Sequence, residues 1–296
     1  MGKRRGIILI ALGAPYYGQL AANLAASIQF TCGGRMPIHL VWAENALAHL
    51  TQQKLGLFTT MQECPHEYYH RGAKTVYVKA KTHLYDLSPF DKTIFLDVDS
   101  IMLGRNTLEQ AFENLKHLDF TMENRSRLNL AQPNITDDYL WANVSDVKRV
   151  FSSGDGFLYG LHSEFIYWKK CEKLAEYFET VKEVFKDPQI PMKHVFDGDI
   201  PDEFPFAMAM IKHRMYPHEC PYRPLYWYLT DAKKIGSSKE MIVHNHIGYS
   251  VGGNATPPPV RKFYDRLAAA YFKKLKLQYP YKIKQKRQEL ASRKAM

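Results

Sequence analysis

Nothing in the sequence marks a disulfide framework, a structural zinc site or a membrane span. The four cysteines, Cys32, Cys64, Cys171 and Cys220, are scattered and include no C-x-x-C pair, so a reducing, cytoplasmic setting is the expectation. No apolar run approaches the ~18–20 residues needed to cross a bilayer. There is no internal repeat, and with 46% hydrophobic residues the chain is too apolar for disorder. Charge of one sign is also missing from most of the chain. The net charge of +10 over 296 residues is carried by residues 260–296, where twelve Lys and Arg face only Asp265 and Glu289. A neutral body with a basic appendage follows, and the expected division is 1–258 and 259–296.

What is present is an α/β pattern. Residues 7–12 form a continuous aliphatic run closed by Gly13 and Pro15, as in a strand covered on both faces of a parallel sheet. Lys3-Arg4-Arg5 before it imitates a secretory leader, but Pro15-Tyr16-Tyr17 stand where small residues would mark cleavage. The pattern predicts a helix over 18–30, a strand over 38–42 and a second helix over 45–55, an order that implies a Rossmann-like mixed sheet flanked by helices. Residues 73–87 have helical periodicity up to Ser88-Pro89, and 93–96 read as a strand. A helix over 106–116, strands over 118–122 and 157–161, a long helix over 164–185 and a last strand over 242–247 follow. Pro257-Pro258-Pro259 makes a stiff stop before the tail.

The sharpest chemical signal is Asp97-Val98-Asp99 at the end of strand 93–96. Alternation along a strand puts both carboxylates on one face, where they suit a hard cation such as Mn²⁺ or Mg²⁺. Ligands of open α/β sheets also lie beyond the carboxyl ends of strands. His244 and His246 share one face of the last strand and offer an imidazole as a third ligand, with His246 preferred. Two motifs compete. His66-Glu67-Tyr68-Tyr69-His70 is an H-E-x-x-H, which on a helix suits a zinc hydrolase, although Pro65 and Gly72 leave barely two turns. Phe95-Leu96-Asp97-Val98-Asp99 also fits the nucleophile strand of a haloacid-dehalogenase-type phosphatase, with Asp97 attacking phosphorus and Thr121, Lys193, Asp199 and Asp202 completing the site. That strand usually opens its fold, whereas here a β-α-β-α segment precedes it.

The stretch from Lys81 through His83, Leu87, Phe90, Lys92 and Ile94 to Asp97, Asp99 and Ser100 closely resembles the segment leading into the D-x-D motif of glycogenin-like and bacterial lipooligosaccharide-type glycosyltransferases. These are retaining, metal-dependent enzymes of the GT-A class, and the resemblance covers most of the body. It implies a divalent ion on Asp97, Asp99 and His246, most simply Mn²⁺, and a nucleotide-sugar donor, UDP-linked by analogy, whose base lies on Tyr16 or Tyr17. It further implies that Lys81 contacts the donor, that Ser152 and Gly248 border it, and that Asp202 orients the transferred sugar, with Asp155 and Asp199 as substitutes. The chain departs from the family pattern at three places. Ser152 replaces an Asn, Glu203 replaces a Gln, and a Lys expected beyond His246-Ile247-Gly248 is absent, with Arg261, Lys262 or the Gly252-Gly253 backbone as replacements.

The tail divides in two. Phe263, Leu267, Tyr271 and Leu275 recur at helical spacing, which predicts an amphipathic helix packed on the body or on a membrane surface. Beyond Tyr279, aromatic and basic residues interleave without an apolar stripe and suit a phosphate backbone. The expected acceptor is therefore acidic, with nucleic acid carrying a hydroxymethylated base favoured over lipopolysaccharide at a membrane surface.

Overall fold

The aliphatic run near the amino terminus is strand β1 (Arg5–Gly13), and its alternate residues feed two different cores. Ile7, Leu9 and Ala11 join one hydrophobic cluster, while Ile8 and Leu12 join a second on the opposite face. That explains why the run has no polar alternation. The same division recurs in β6 (Lys92–Leu96), where Ile94 and Leu96 face the first core and Phe95 the second. The computed structural model describes residues 5–103, 108–133, 137, 139–151, 156–196, 198–215, 220, 222–225, 246–250 and 258–277.

Helix α1 (Pro15–Thr31) leaves β1 through Pro15, which suits a helix start, and returns to β2 (Ile38–Glu44). After α2 (Gln52–Leu55) come β3 (Thr60–Glu63), the hairpin β4 (His70–Arg71) and β5 (Lys74–Thr75), a 3-10 segment Tyr77–His83 and α3 (Leu84–Leu87). Beyond β6 lie β7 (Ser100–Met102), α4 (Leu108–Asn114), β8 (Phe120–Asn129), α5 (Val144–Phe151) and β9 (Phe157–Lys169). Helices α6 (Glu172–Lys186) and α7 (Glu203–Lys212), short strands β10 (Arg223–Leu225) and β11 (His246–Ser250), and α8 (Pro258–Lys274) complete the described elements. The main sheet has the order β3-β2-β1-β6-β9-β8. Its first four strands run parallel, and β9 is antiparallel to both β6 and β8. A second sheet, β10-β11-β7, stands at the carboxyl end of β6. Helices α1, α4 and α8 supply the first core, and α5, α6 and α7 the second.

Several expected elements differ. Residues 164–169, read as the start of a long helix, are the second half of β9, because Phe165 and Tyr167 face one core and Ile166 and Trp168 the other. The helix expected over 45–55 shrinks to the four residues of α2, and the one over 73–87 is a β5 strand end, a 3-10 segment and the single turn of α3. The segment after 122 continues as strand β8 to Asn129. The H-E-x-x-H segment is not an α-helix. His66–Tyr68 is one 3-10 turn and His70 begins β4, so the two imidazoles stack at 3.6 Å between ring centroids instead of converging on a metal.

The expected boundary between 258 and 259 falls at the start of α8, and α8 belongs to the body. Val260, Tyr264, Ala268, Tyr271 and Phe272 are buried in the first core, with Phe263, Leu267, Leu275 and Leu277 packed around them. The Tyr271 hydroxyl donates to the Met102 carbonyl at 2.7 Å, which ties the helix to β7. Of the two surfaces expected for this stripe, the protein body is the one it covers. Among the described residues no helix is long and apolar enough to cross a membrane.

Candidate active site

Strand β6 stops at Leu96, and the two aspartates lie in a turn. The Ser100 amide donates to the Asp97 carbonyl at 3.0 Å, while the Asp97 amide is held by the Glu164 carbonyl at 3.1 Å. Asp97 and Asp99 are therefore brought together by the turn and not by strand alternation, yet both line one cleft of about 230 Å³. The opposite wall is apolar and aromatic, with Leu12, Tyr16, Tyr17, Tyr77, Val78 and Phe196. The cleft lies at the carboxyl ends of β1 and β6, where open α/β sheets bind ligands.

Lys81, at the end of the 3-10 segment, enters from below. Its Nζ donates to Asp97 Oδ2 at 2.8 Å and Ser163 Oγ at 2.9 Å, and forms an ion pair with Asp202 Oδ2 at 2.9 Å. The ammonium thus bridges two carboxylates, and Lys81 also lines the cleft. Asp202 and Glu203 open α7, where the helix dipole favours negative charge. Burial opposes the charge on Lys81, but Asp202 and Asp97 outweigh it and hold its pKa well above the ordinary value. Burial likewise opposes ionisation of Asp202, and Lys81 with a Ser163 hydrogen bond still keeps its pKa below the usual range. Glu203 is pushed strongly upward by burial and by Asp202, and Glu164 to about 8 by burial and the charges of Glu123 and Asp97. Ser163 Oγ also approaches Glu203 Oε1 at 3.4 Å.

The other expected residues are placed unevenly. Tyr16 and Tyr17 meet edge to face at 5.7 Å, and Arg261 of α8 donates to the Tyr16 hydroxyl at 2.6 Å. Asp99 lies near enough for its charge to raise the Tyr16 pKa, behind the larger effect of burial. Asp199 is bound elsewhere, by Arg71 at 3.1 Å and Lys74 at 3.5 Å, both from the β4–β5 hairpin. Strand β11 runs antiparallel to β7 with Gly248 opposite Met102 and Ser250 opposite Ser100. His246 is the first residue of β11. Ser152, Asp155 and His244 lie outside the described residues. Among the described residues no cluster of three or more metal-ligating side chains occurs.

Sequence reasoning passed over Ser163 and Glu164. They reach the site because β9 pairs antiparallel with β6, Phe165 opposite Leu96, and only that pairing brings them beside Asp97. Of the residues named for a phosphatase, Asp202 joins Asp97 through Lys81, but Thr121, Lys193 and Asp199 are engaged elsewhere. The Lys193 ammonium is held by the Asp137 carbonyl, and Thr121 is buried in β8 opposite Tyr167.

This sheet order, with an acidic turn after the fourth parallel strand and a small second sheet beside it, is the GT-A glycosyltransferase fold. Solved structures agree on the fold. A bifunctional glycosyltransferase, WbbM, superposes with a TM-score of 0.56 at 10% identity over 92% of this chain, which spans 52% of WbbM. The galactosyltransferase LgtC, in complex with donor and acceptor sugar analogs, gives 0.51 at 11% identity over 89% of this chain and 95% of LgtC. A glutamine-to-glutamate active-site mutant of LgtC gives the same values. No protein-family model matches the sequence, and no curated protein matches it.

Proposed function

We propose that the protein is a metal-dependent glycosyltransferase that moves a hexose from a nucleotide sugar, UDP-linked, to an acceptor hydroxyl with retention at the anomeric carbon. The observation that carries this reading is a cleft in a GT-A fold that joins an aromatic wall to Asp97 and Asp99. A flat base with a polyanion behind it matches such a cleft. Two carboxylates are oxygen ligands of the kind Mn²⁺ and Mg²⁺ take, so the residues present fit a divalent ion. When bound, that ion offsets the charge that builds on the leaving diphosphate.

The chain's own residues do the rest. Tyr16 and Tyr17 present ring faces and edges to the base. Arg261, anchored on the Tyr16 hydroxyl, supplies positive charge at the donor side in place of the absent lysine. Lys81 fixes Asp97 and Asp202 relative to each other, so that Asp202 orients the transferred sugar from a set position. The metal ligands in this reading are Asp97, Asp99 and His246. LgtC carries a glutamine-to-glutamate change in an active-site mutant, and the native Glu203 makes that same residue type part of this proposal. The acceptor we favour is nucleic acid, on the strength of the interleaved basic residues beyond Tyr279.

The test is sugar transfer from a panel of nucleotide sugars with Mn²⁺, on hydroxymethylated DNA and on lipooligosaccharide, read as released nucleoside diphosphate and labelled acceptor. Asp99→Asn is expected to lose about 100-fold or more of the metal-dependent rate. Retained turnover with an intact metal response would sink the assignment. Transfer to lipooligosaccharide alone would correct the acceptor.

A further inference from the structure

The outward face of α8 carries charge of one sign. Between residues 260 and 277 six residues are exposed, and five of them are cations, Lys262, Arg266, Lys273, Lys274 and Lys276; the sixth is Ala270. The one acid of the segment, Asp265, is partly buried. None of the five cations has an ion-pair partner among the described residues, and Lys274 lies over the ring of Phe30 at 4.6 Å. A face that serves solubility alone mixes both signs. This one leaves a row of positive charge open to an anion.

The row also has a direction. Contacts between α8 and α1 occur in the same order along both helices, Arg261 at Tyr16, Tyr264 at Asn23 and Lys274 at Phe30. Helix α8 therefore starts beside the cleft, which Tyr16 lines, and runs away from it. At about 3.6 residues per turn Lys262, Arg266 and Lys273 fall within an arc of about 40°, and at about 1.5 Å per residue they span roughly 16 Å. That is the length of about five phosphates of one strand at about 3.4 Å each. We propose that this face is a docking track for the sugar–phosphate backbone of a nucleic acid, which it holds by charge and leads to the mouth of the cleft. This rests on the acceptor reading above. The large apolar side chains of α8 are taken up by the core, so its outward face offers a bilayer nothing to insert. A phosphate backbone needs only the cations, because each contact releases condensed counterions whatever the base sequence.

The experiment is fluorescence anisotropy of a labelled DNA duplex of about 20 base pairs, titrated with the full chain between about 50 and about 200 mM salt, beside flotation with vesicles containing phosphatidylserine. The variant combines Arg266→Gln, Lys273→Gln and Lys274→Gln, all at exposed positions, and its urea midpoint should match that of wild type. Wild type is expected to bind the duplex with a steep salt dependence. The variant should bind at least about tenfold more weakly at about 100 mM salt, with the slope of log K against log salt flatter by about 2–3. Lys282, Lys284 and Lys286 remain in the variant, so the comparison reads α8 and not the segment beyond it. Duplex binding that the variant keeps, with the same slope, overturns the α8 track alone. Failure of wild type to bind the duplex, or binding to the vesicles in preference to it, overturns the nucleic-acid reading of the acceptor and this inference with it.

Discussion

Replacing Lys81 with methionine isolates the ion cluster beneath the cleft. The Lys81 side chain is 14% exposed, and its ammonium sits 2.8 Å from Asp97 and 2.9 Å from Asp202. At an effective dielectric of about 20, each pair has a gross attraction of roughly 6 kcal/mol, most of it offset by desolvation. Removing the cation while both carboxylates remain has a different consequence, because two like charges are then left buried without a counter-charge. That costs about 3–5 kcal/mol, equivalent to a drop of roughly 10 °C in melting temperature for a domain of this size. The assay is urea unfolding followed by tryptophan fluorescence, in EDTA so that no added ion takes the place of the ammonium. A second substitution checks the cause. Asp202→Asn in the Lys81→Met background should recover a large part of the loss, since it removes one of the stranded charges, whereas Asp202→Asn alone should destabilise. A Lys81→Met loss below about 1 kcal/mol, or strictly additive effects in the double variant, would refute the buried ion triad.

Three further outcomes follow from the structure. Tyr264→Ala empties a fully buried position of α8 and should cost about 3–5 kcal/mol in chemical denaturation; a change under about 1 kcal/mol would mean that α8 is an appendage after all. For the same reason a chain ending at 259 should fail to give soluble folded protein while one ending at 277 folds, so gel-shift and liposome-flotation tests of the tail belong with the second. His39 is buried, bonded to Thr60 at 2.8 Å, and burial lowers its pKa. The unfolded chain therefore takes up a proton that the native state does not, and stability present above about pH 6.5 is lost as pH falls below it, by up to about 1.4 kcal/mol per pH unit. His39→Gln should flatten that slope in denaturation curves from pH 7 to 5, and an unchanged slope would contradict the assignment.

Strands β1, β2 and β6 and helix α1 were legible because a strand buried on both faces reads as an unbroken aliphatic run and a docked helix shows its stripe. The same rule concealed β9. Phe165-Ile166-Tyr167-Trp168 is apolar on both faces and flows into α6, so no alternation separates strand from helix. Asp97 and Asp99 were visible as a pair, but the turn that joins them depends on hydrogen bonds from Ser100 and to Glu164 that no local pattern encodes. Lys81 stood out by resemblance, while its partners Asp202 and Ser163 come from α7 and β9, far away in the chain. Charge arithmetic was blind to α8. Lys262, Arg266, Lys273 and Lys274 are exposed, and the same helix carries Tyr264, Tyr271 and Phe272 into the core, so a segment that is basic by count is structural by burial.

The central claim is that a divalent ion on Asp97 and Asp99 holds the donor's diphosphate in the cleft. It is tested most directly by calorimetric titration of the full chain with a UDP-sugar, once in Mn²⁺ and once in EDTA. The account predicts binding in Mn²⁺ that weakens by about 100-fold or more in EDTA and in Asp97→Asn or Asp99→Asn. Equal affinity with and without the metal, or in the aspartate variants, would contradict it.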